Sequence, residues 1–404
     1  MYARGVPRAG WVKPESDQRL SDHISIGVLT RTFPLELVDG VVEAAGRREV
    51  RNRLLPARVV VYYLLAMALF SDASYEEVMR LLVQGLSWSE GWRSQWQVPS
   101  KTAIYKARLR LGVEPMEALF RAVASPLATP ETPGGFWRGL RLLTVDGTCL
   151  DVADTDANDA AFGRPGSGRG TRRGAFPQVR LVALGECGSH AIVRAVIGPY
   201  TTGEQRLVAG LVDALGPGML VIADRAFASA PFADAIRQTG AEFVVRTKHN
   251  SVLPVDETYP DGSFQSRIYH AADRHQTTPI PVRAIEYQLT SEPDATSYRL
   301  ITNLLDPDQA PALELAALYS ERWEIESAFD ELKTHQRGPR LVLRSKTPDG
   351  ARQEVWAYLC VHYAIRHLMH TAATTERADP DRFSFIRSLR VARRTTGTHP
   401  GFSP

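Results

Sequence analysis

Residues 311–335, PALELAALYSERWEIESAFDELKTH, are the stretch around which the fold of this chain can be worked out. A proline stands at the start of the run, Gly338-Pro339 follows its end, and Ala, Leu and Glu dominate between them. These residue types favour a helix, and proline and glycine bound one. The stretch is therefore predicted to be one long helix.

Four polar side chains of this helix are predicted to face the same way. At about 100° per residue they fall within an arc of roughly 60°. They are Tyr319, Arg322, Glu326 and Lys333. An apolar stripe beside the arc, made of Leu318, Ile325, Phe329 and Leu332, is predicted to face the core. The other glutamates, Glu321, Glu324 and Glu331, are predicted to lie on the solvated side. Taken alone, Arg322 and Glu326 could also be an ordinary i,i+4 ion pair.

Length and composition limit the classes of protein to which this chain can belong. With 404 residues and 44% apolar residues, the chain can form two or three domains with a real core. A net charge of +3 is too small to argue for nucleic acid by itself. The three cysteines lie far apart without CxxC spacing, which indicates neither disulfides nor zinc and fits a reducing compartment. The longest apolar run, Val59–Phe70, is too short to span a bilayer, and no signal-peptide core precedes it. We expect a cytoplasmic protein without a membrane partner.

Two changes of pattern divide the chain. Residues up to about 128 have helical periodicity, and a segment rich in proline, threonine and glycine follows at 125–135. Beyond it, apolar strands alternate with helices, which predicts an α/β domain with a mixed sheet. The predicted divisions are a loose N-terminus (1–20), a helical N-terminal domain (21–128), an α/β domain (136–248 and 298–372), a β-rich insertion (249–297) and a C-terminal tail (373–404).

Two aspartates follow apolar strands in the predicted α/β domain. Asp146 comes after Leu140–Val145 and Asp224 after Met219–Ala223, places where a side chain leaves the sheet. Either could instead cap a turn, and Asp151 competes with Asp146. Together with Glu326 they supply three carboxylates. Clustered carboxylates repel one another unless cations lie between them, and hard oxygen ligands suit Mg²⁺ or Mn²⁺.

Two segments concentrate positive charge. One is a short predicted helix after Pro99-Ser100, and it carries Lys101, Lys106, Arg108 and Arg110. The other lies between Asp159 and Glu186, where the chain has no acidic residue, and it carries Arg169, Arg172 and Arg173 among several glycines. Both could be solvated cationic surfaces. Both could also contact DNA phosphates, in which case binding would depend on salt.

The spacing Tyr-x2-Arg-x3-Glu-x6-Lys at positions 319, 322, 326 and 333 resembles the YREK signature of DDE transposases of the bacterial insertion-sequence-four group. The resemblance extends over about residues 20 to 395. It implies a ribonuclease-H-like catalytic core with a β-rich insertion, preceded by an all-α DNA-binding domain. It also implies a triad of Asp146, Asp224 and Glu326 holding two Mg²⁺ or Mn²⁺ ions, with Tyr319, Arg322 and Lys333 on phosphates of the transposon end.

The activity that the resemblance implies is DNA transposition. The enzyme would nick the terminal inverted repeats of a transposon by hydrolysis and join the freed 3′-hydroxyl to target DNA, acting as a homodimer on double-stranded DNA. Two alternatives remain open at this point: a metal-dependent nuclease that does not join DNA, and a non-catalytic DNA-binding relic. The insertion contains no tryptophan, which argues against a hairpin intermediate held by that residue type, and the short segment after Arg393-Arg394 leaves a C-terminal truncation open.

Overall fold

A computed structural model describes residues 28–49, 55–84, 99–166, 173–288, 297–338 and 342–395. The predicted loose N-terminus and two of the predicted DNA-contacting residues, Arg169 and Arg172, lie outside these ranges.

The N-terminal part is helical, as predicted. Its helices are α1 Val28–Thr32, α2 Leu35–Ala44, α3 Ala57–Leu69, α4 Tyr75–Gln84, α5 Lys101–Leu111 and α6 Glu114–Val123. Every residue of α3 except Arg58 is buried, since a helix that is apolar on all sides is stable only when surrounded by protein. Arg58 itself pairs with Asp39 of α2. The apolar run that is too short for a membrane span is thus the centre of this helical part.

One mixed sheet forms the second part of the molecule. Its strands are β1 Phe136–Trp137, β2 Leu140–Asp151, β3 Gln178–Glu186, β4 Ile192–Pro199, β5 Met219–Ala223, β6 Glu242–Thr247, β7 Glu257–Thr258, β8 Phe264–Ile268, β9 Ile280–Gln288 and β10 Ser297–Thr302. The spatial order is β4-β3-β2-β5-β6-β10-β9-β8-β7, with β1 paired to β2. Strands β4, β3 and β2 are antiparallel, and β2, β5 and β6 are parallel. This arrangement confirms the predicted mixed α/β, ribonuclease-H-like core.

The segment predicted as a β-rich insertion continues the same sheet. Strand β10 pairs antiparallel with β6 on one side and with β9 on the other, and β8 and β7 follow outward. The insertion therefore widens the central sheet instead of forming a separate sheet.

Seven helices of the described residues accompany the sheet, and the first six of them contact its strands. They are α7 Asp156–Phe162, α8 Glu204–Leu207, α9 Ala230–Thr239, α10 Ala312–Leu318, α11 Trp323–Asp330, α12 Pro348–Glu376 and α13 Phe385–Thr395. The predicted helix at 204–215 is α only in its first turn and continues as a 3₁₀ helix over Val208–Ala214. Helix α12 shares one apolar core with α3 and α6, which joins the N-terminal helices to the sheet domain. Part of the predicted tail is helical too, because α12 reaches Glu376 and α13 packs through Leu389.

The long helix of the opening stretch is present but irregular, so the prediction of one uniform helix is corrected. Helix α10 passes into a 3₁₀ turn at Tyr319–Arg322, then into α11, and then into a π-helical segment at Glu331–Gln336. A 3₁₀ turn has about three residues per turn, so the residues after it are rotated relative to a regular α-helix.

The side chains of this segment follow the prediction on one face only. The predicted core stripe is buried: Leu318, Ile325, Phe329 and Leu332 are all at most 9% exposed. The prediction of a solvated glutamate face is wrong, because Glu331 is buried and Glu321 and Glu324 are partly buried.

Candidate active site

Asp146 and Asp224 are brought together by the parallel pairing of β2 and β5. Val145 lies opposite Ala223 in this ladder, so each aspartate is the next residue of its strand. Strand β5 ends there, whereas β2 continues to Asp151, which corrects the prediction that the first strand ends at Asp146. Asp151 is five residues further along, so it faces the other side of β2, and its carboxylate accepts a hydrogen bond from Gln178. The structure therefore favours Asp146 over Asp151.

The carboxylate of Asp146 is in an unfavourable electrostatic position. Burial raises its pKa to about 6, and the charges of Asp224 and Glu204 act in the same direction. The backbone N–H of Gly147, which donates to Oδ1 at 2.7 Å, and the guanidinium of Arg322 oppose this shift in pKa. A cation between the two aspartates would relieve their repulsion.

Glu326 reaches this region on α11. The helix packs on β3 through Ile325. A Cβ at Gly185 would lie 2.6 Å from Cδ1 of Ile325, so Ile325 can pack here only because residue 185 has no side chain. The carboxylate of Glu326 accepts a hydrogen bond from Nη1 of Arg322 at 2.5 Å. The charge of Asp146 also acts on Arg322, and so one guanidinium interacts with acids from both the sheet and the helix.

The other two residues of the predicted face lie along the same segment. Tyr319 is 9% exposed, and burial raises its pKa to about 12. Lys333 donates from Nζ to Oγ1 of Thr148 at 3.0 Å. Thr148 is two residues after Asp146 and hence on the same face of β2. Tyr319 and Arg322 therefore border the space at Asp224, and Lys333 contacts the strand that carries Asp146.

Two cavities border the site. A polar one of about 280 Å³ is lined by Asp224, Arg225, Arg246, Tyr319 and Arg322. Glu326 instead faces a groove of about 440 Å³ together with Trp323 and Phe385. The carboxylates of Asp224 and Glu326 thus face different cavities.

Arg322 interacts with Glu326 and Asp146 and borders the cavity at Asp224, but the three acids do not form a compact ligand set. Within the described ranges, the one trio of His, Cys, Asp or Glu side chains whose ligand atoms all lie within 4.8 Å is His190, Glu324 and Asp381. Asp146 and Asp224 fit a divalent cation, because both are hard oxygen donors and one is destabilised by the other. For Glu326 to join them, its hydrogen bond to Arg322 must be exchanged for the ion.

Sequence reasoning missed Glu204. This carboxylate packs against Gly147, where a Cβ would lie 2.5 Å from its Cδ, and it accepts a hydrogen bond from Arg180 at 3.2 Å. The glycine directly after Asp146 was the available signal, since it marks a close approach. Arg246, which lines the polar cavity and lies over the ring of Tyr298, was also missed.

The predicted DNA-contacting cations differ in their surroundings. On α5, Lys106 and Arg110 are exposed, and Lys101 is exposed and pairs with Glu76 at 3.6 Å. Arg108 is 7% exposed and donates to Gln353, Ser345 and the carbonyl of Gly350, so its prediction as a DNA contact is wrong. Arg173 is exposed and lies 3.4 Å from Asp159.

Among the described residues, no helix has the length and apolar character that crossing a membrane requires.

Two models of known protein families match the chain. A family model described as insertion element 4 transposase N-terminal matches residues 23–121, and one described as transposase DDE domain matches residues 137–363. Over 373 residues the chain is 28% identical to the transposase InsG for insertion sequence element IS4 of Escherichia coli (strain K12), covering 91% of this chain and 82% of that protein. It is 25% identical over 225 residues to the putative transposase InsZ of the same organism, covering 56% and 72% of the two chains.

A solved structure is similar as well. It is the cryo-EM structure of the piggyBac transposase synaptic complex with hairpin DNA, at a TM-score of 0.49 and 12% identity, covering 92% of this chain and 79% of that chain.

The two family models and the similarity to InsG confirm the family that the Tyr-Arg-Glu-Lys spacing indicated. The protein is an enzyme of DNA transposition and binds DNA, and DDE domains of this kind generally use divalent metal ions. The chain belongs to the DDE transposases of the insertion element 4 family.

Proposed function

We propose that Asp146, Asp224 and Glu326 are the catalytic triad, which cuts transposon ends and joins the freed 3′-hydroxyl to target DNA. The observation that carries this proposal is the pairing of β2 with β5. Asp146 and Asp224 follow the paired residues Val145 and Ala223 on these neighbouring strands, and burial and the charge of Asp224 raise the pKa of Asp146 to about 6. Perturbed carboxylates of this kind are typical of functional sites.

The cofactor in this proposal is a pair of Mg²⁺ or Mn²⁺ ions held by the three carboxylates. Two such ions, when bound, promote attack at phosphorus and stabilise the leaving oxygen. The protein's own contribution is to orient its ligands: the Gly147 N–H fixes one oxygen of Asp146, and the Ala226 N–H fixes one oxygen of Asp224 at 2.7 Å.

Arg322 links DNA binding to assembly of this site. Its guanidinium holds Glu326 in the free protein and borders the cavity at Asp224. A phosphate of the transposon end offers this guanidinium a bidentate partner. If Arg322 turned to that phosphate, the Glu326 carboxylate would be free to hold a metal ion together with Asp146 and Asp224, and DNA binding would precede completion of the ligand set.

The remaining DNA surface extends to both sides of the site. Tyr319 and Lys333 contact phosphates beside Arg322. Lys101, Lys106, Arg110 and Arg173 are exposed or at the surface and can contact the duplex further out. Arg169 and Arg172 belong to the proposal on sequence grounds. The substrate is duplex DNA with the terminal inverted repeats of the element and a target duplex, bound by a homodimer.

The decisive experiment uses Mg²⁺ and a duplex that carries the element's own flanking inverted repeats. We expect nicking at the end and, with a precleaved end, joining to a target duplex. Glu326→Gln should retain DNA binding and lose cleavage by about 100-fold or more, because a metal ligand is removed while the surface is kept. Asp151→Asn, on the other face of β2, is the matched control and should cleave normally.

Three results would separate the possibilities. Equal loss of binding and cleavage in Glu326→Gln would contradict its role as a metal ligand. Cleavage without joining of precleaved ends would indicate a nuclease. No metal-dependent cleavage by the wild-type protein would indicate a DNA-binding relic.

A further inference from the structure

A buried polar network lies behind the helix that carries Glu326. His190, in the tight turn between β3 and β4, is 8% exposed, and its backbone adopts a left-handed conformation with φ 53°. Its Nε2 faces the Glu324 carboxylate of α11 and lies 3.2 Å from Oδ1 of Asp381. The ring therefore connects the sheet, the catalytic helix and the segment after α12.

The other side of the imidazole continues the network. Nδ1 of His190 is 2.5 Å from Nη2 of Arg366 on α12. Arg366 donates from Nε to Glu331 at 2.8 Å and also through Nη2, and Nε2 of His362 lies 3.1 Å from the same carboxylate. Glu331 begins the π-helical segment that carries Lys333.

The turn that presents His190 is a rigid support. Every residue from Leu181 to Ile192 is buried, which is unusual for a hairpin turn. A Cβ at Gly188 would lie 2.3 Å from the carbonyl oxygen of Pro133, so the turn fits closely against the linker, which is the proline- and glycine-rich segment 125–135. Glu186 of β3 accepts hydrogen bonds from the backbone N–H groups of Leu127 and Ala128. The turn is thus tied to the linker and to the sheet at once.

We propose that these groups, of which Glu324 is partly buried and Asp381 is exposed, form a positioning network for the reaction: they fix the rotation of the segment that presents Glu326 and Lys333. The network consists of His190, Glu324, Asp381, Arg366, Glu331 and His362. The proposal rests on the function proposed above for Glu326. Glu324 is two residues before Glu326, and Glu331 is two residues before Lys333. Each of these two network glutamates is therefore close in the chain to one residue of the site.

The irregular geometry of the segment explains the need for anchors. Helix α11 is preceded by a 3₁₀ turn and followed by π-helical residues, and neither has the regular i→i−4 ladder that fixes the rotation of an α-helix. Apolar packing of Ile325 and Phe329 is non-directional. The contact of Glu324 with His190 and the hydrogen bonds that Glu331 accepts from Arg366 define the rotation, and they do so at both ends of α11.

The trio His190, Glu324 and Asp381 could instead be a cation site, since its ligand atoms lie within 4.8 Å of one another. The contact with Arg366 argues against this. A guanidinium can only donate, so Nδ1 accepts, and the proton of the neutral ring lies on Nε2 towards the carboxylates. A metal at Nε2 would have to displace that proton and leave an imidazolate. The arrangement favours a hydrogen-bond network.

The test combines two measurements on Glu324→Ala and His190→Asn, because asparagine tolerates the left-handed backbone at position 190. Hydrogen–deuterium exchange is expected to accelerate at least about tenfold in residues 323–336 while amides of α3 stay protected. The Mg²⁺ concentration for half-maximal cleavage should rise about tenfold, while the affinity for transposon-end DNA stays unchanged. Changes of this size are typical when a residue that orients a metal ligand is replaced. The double variant should add little to either single variant.

Glu324→Gln and Asp330→Asn serve as controls. The first should restore most of the wild-type behaviour, because its amide oxygen still accepts from Nε2–H. The second alters an exposed carboxylate of the same helix and should change neither measurement. Unchanged exchange in residues 323–336 would overturn the network, as would faster exchange with unchanged metal dependence.

Two further outcomes are distinguishable. If Zn²⁺ raises the melting temperature of Glu326→Gln but not of Glu326→Gln with His190→Asn, the trio is a metal site and the positioning role is overturned. If the wild-type protein shows no metal-dependent cleavage, the function proposed for Glu326 fails. The exchange experiment then still decides whether the network holds the helix.

Discussion

At the scale of single residues, the stability of each charged carboxylate depends on how deeply it is buried and on which charged side chains lie beside it. Asp146 is destabilised by burial and by Asp224, whereas Glu326 is neutralised by Arg322. Glu331, although buried, has a pKa that is lowered on balance, because the hydrogen bond from His362 and the charge of Arg366 outweigh its burial. A charged carboxylate is therefore destabilised at position 146 of the proposed site and stabilised at position 331 behind it.

Asp146→Asn is expected to stabilise the metal-free protein at neutral pH. Burial raises the pKa of Asp146 from 3.8 to about 6. Between these values the folded protein binds more protons than the unfolded chain, so its free energy of unfolding falls as pH rises and stays lower above pH 6. Asparagine removes this penalty of up to about 3 kcal/mol and keeps the acceptor for the Gly147 N–H.

Urea unfolding at about pH 7.5 and about pH 3.5 measures this effect. The variant should be the more stable protein at the higher pH, and the difference should vanish at the lower one. Added Mg²⁺ should then stabilise the wild-type protein more than the variant. A difference that is the same at both pH values would refute the electrostatic explanation.

Arg322→Ala is expected to have opposite effects on two ligands. Removing the guanidinium frees the Glu326 carboxylate, so Mn²⁺ should bind the DNA-free protein more tightly in a calorimetric titration. Loss of a phosphate contact should weaken binding of the transposon end and reduce its salt slope by about 1. Arg237→Ala on α9 is the control for loss of a positive charge. An unchanged salt slope for Arg322→Ala would argue against the phosphate contact.

At the scale of elements, close backbone approaches decide how the strands and helices meet. Ile325 of α11 lies over Gly185 of β3, Glu204 lies over Gly147 of β2, and the β3–β4 turn meets the linker at Gly188. Each glycine provides room for a side chain or a backbone segment that is distant in sequence. The position of α11 over the sheet thus depends on residues that carry no side chain.

Gly188→Ala is expected to destabilise the protein by more than about 3 kcal/mol. A left-handed alanine costs about 1–2 kcal/mol by itself, and here its Cβ would also lie 2.3 Å from the carbonyl oxygen of Pro133. Gly139→Ala is the matched control, because its φ is +81° and nothing lies within 4 Å of the added Cβ. Thermal unfolding of both variants measures the difference. Equal losses would show that the close contact has no energetic effect.

At the scale of the whole molecule, α12 connects the helical part to the sheet domain. It packs on α3 and α6, and its residues Gln353 and Arg366 bond to α5 and to the β3–β4 turn respectively. Arg108 of α5 is the clearest cross-connection, because its guanidinium donates to groups more than 230 residues away. The helical part and the sheet domain are thus joined by polar as well as apolar contacts.

Arg108→Ala and Lys106→Ala should therefore behave differently although they are two residues apart. Arg108→Ala leaves buried acceptors unpaired and should lower the free energy of unfolding by about 3 to 5 kcal/mol. Lys106 is exposed, so its replacement should leave stability within about 0.5 kcal/mol and weaken DNA binding in a salt-dependent way. Urea unfolding and end binding at two salt concentrations test both. Comparable stability of the two variants would contradict the structural role of Arg108.

The sequence by itself determined most of the helices and strands, the two aspartates that follow apolar strand residues, and the Tyr-Arg-Glu-Lys spacing. These follow from hydrophobic periodicity, from proline and glycine at element ends, and from spacing, all of which are local properties of the chain. The resemblance of the same residues to a known family added the expected catalytic core and its metal. The sheet order and the family matches confirmed the fold class and the family.

Only the tertiary structure decided which charged side chains are available to ligands. Arg108 and Lys106 look alike in sequence, and so do Glu331 and Glu326, yet in each pair one is buried against partners from distant segments. Burial of a charge depends on what lies across the interface, and helical periodicity gives no information about that. The 3₁₀ and π segments rotate side chains away from regular helical positions, and so the buried network behind Glu326 could not be predicted from spacing.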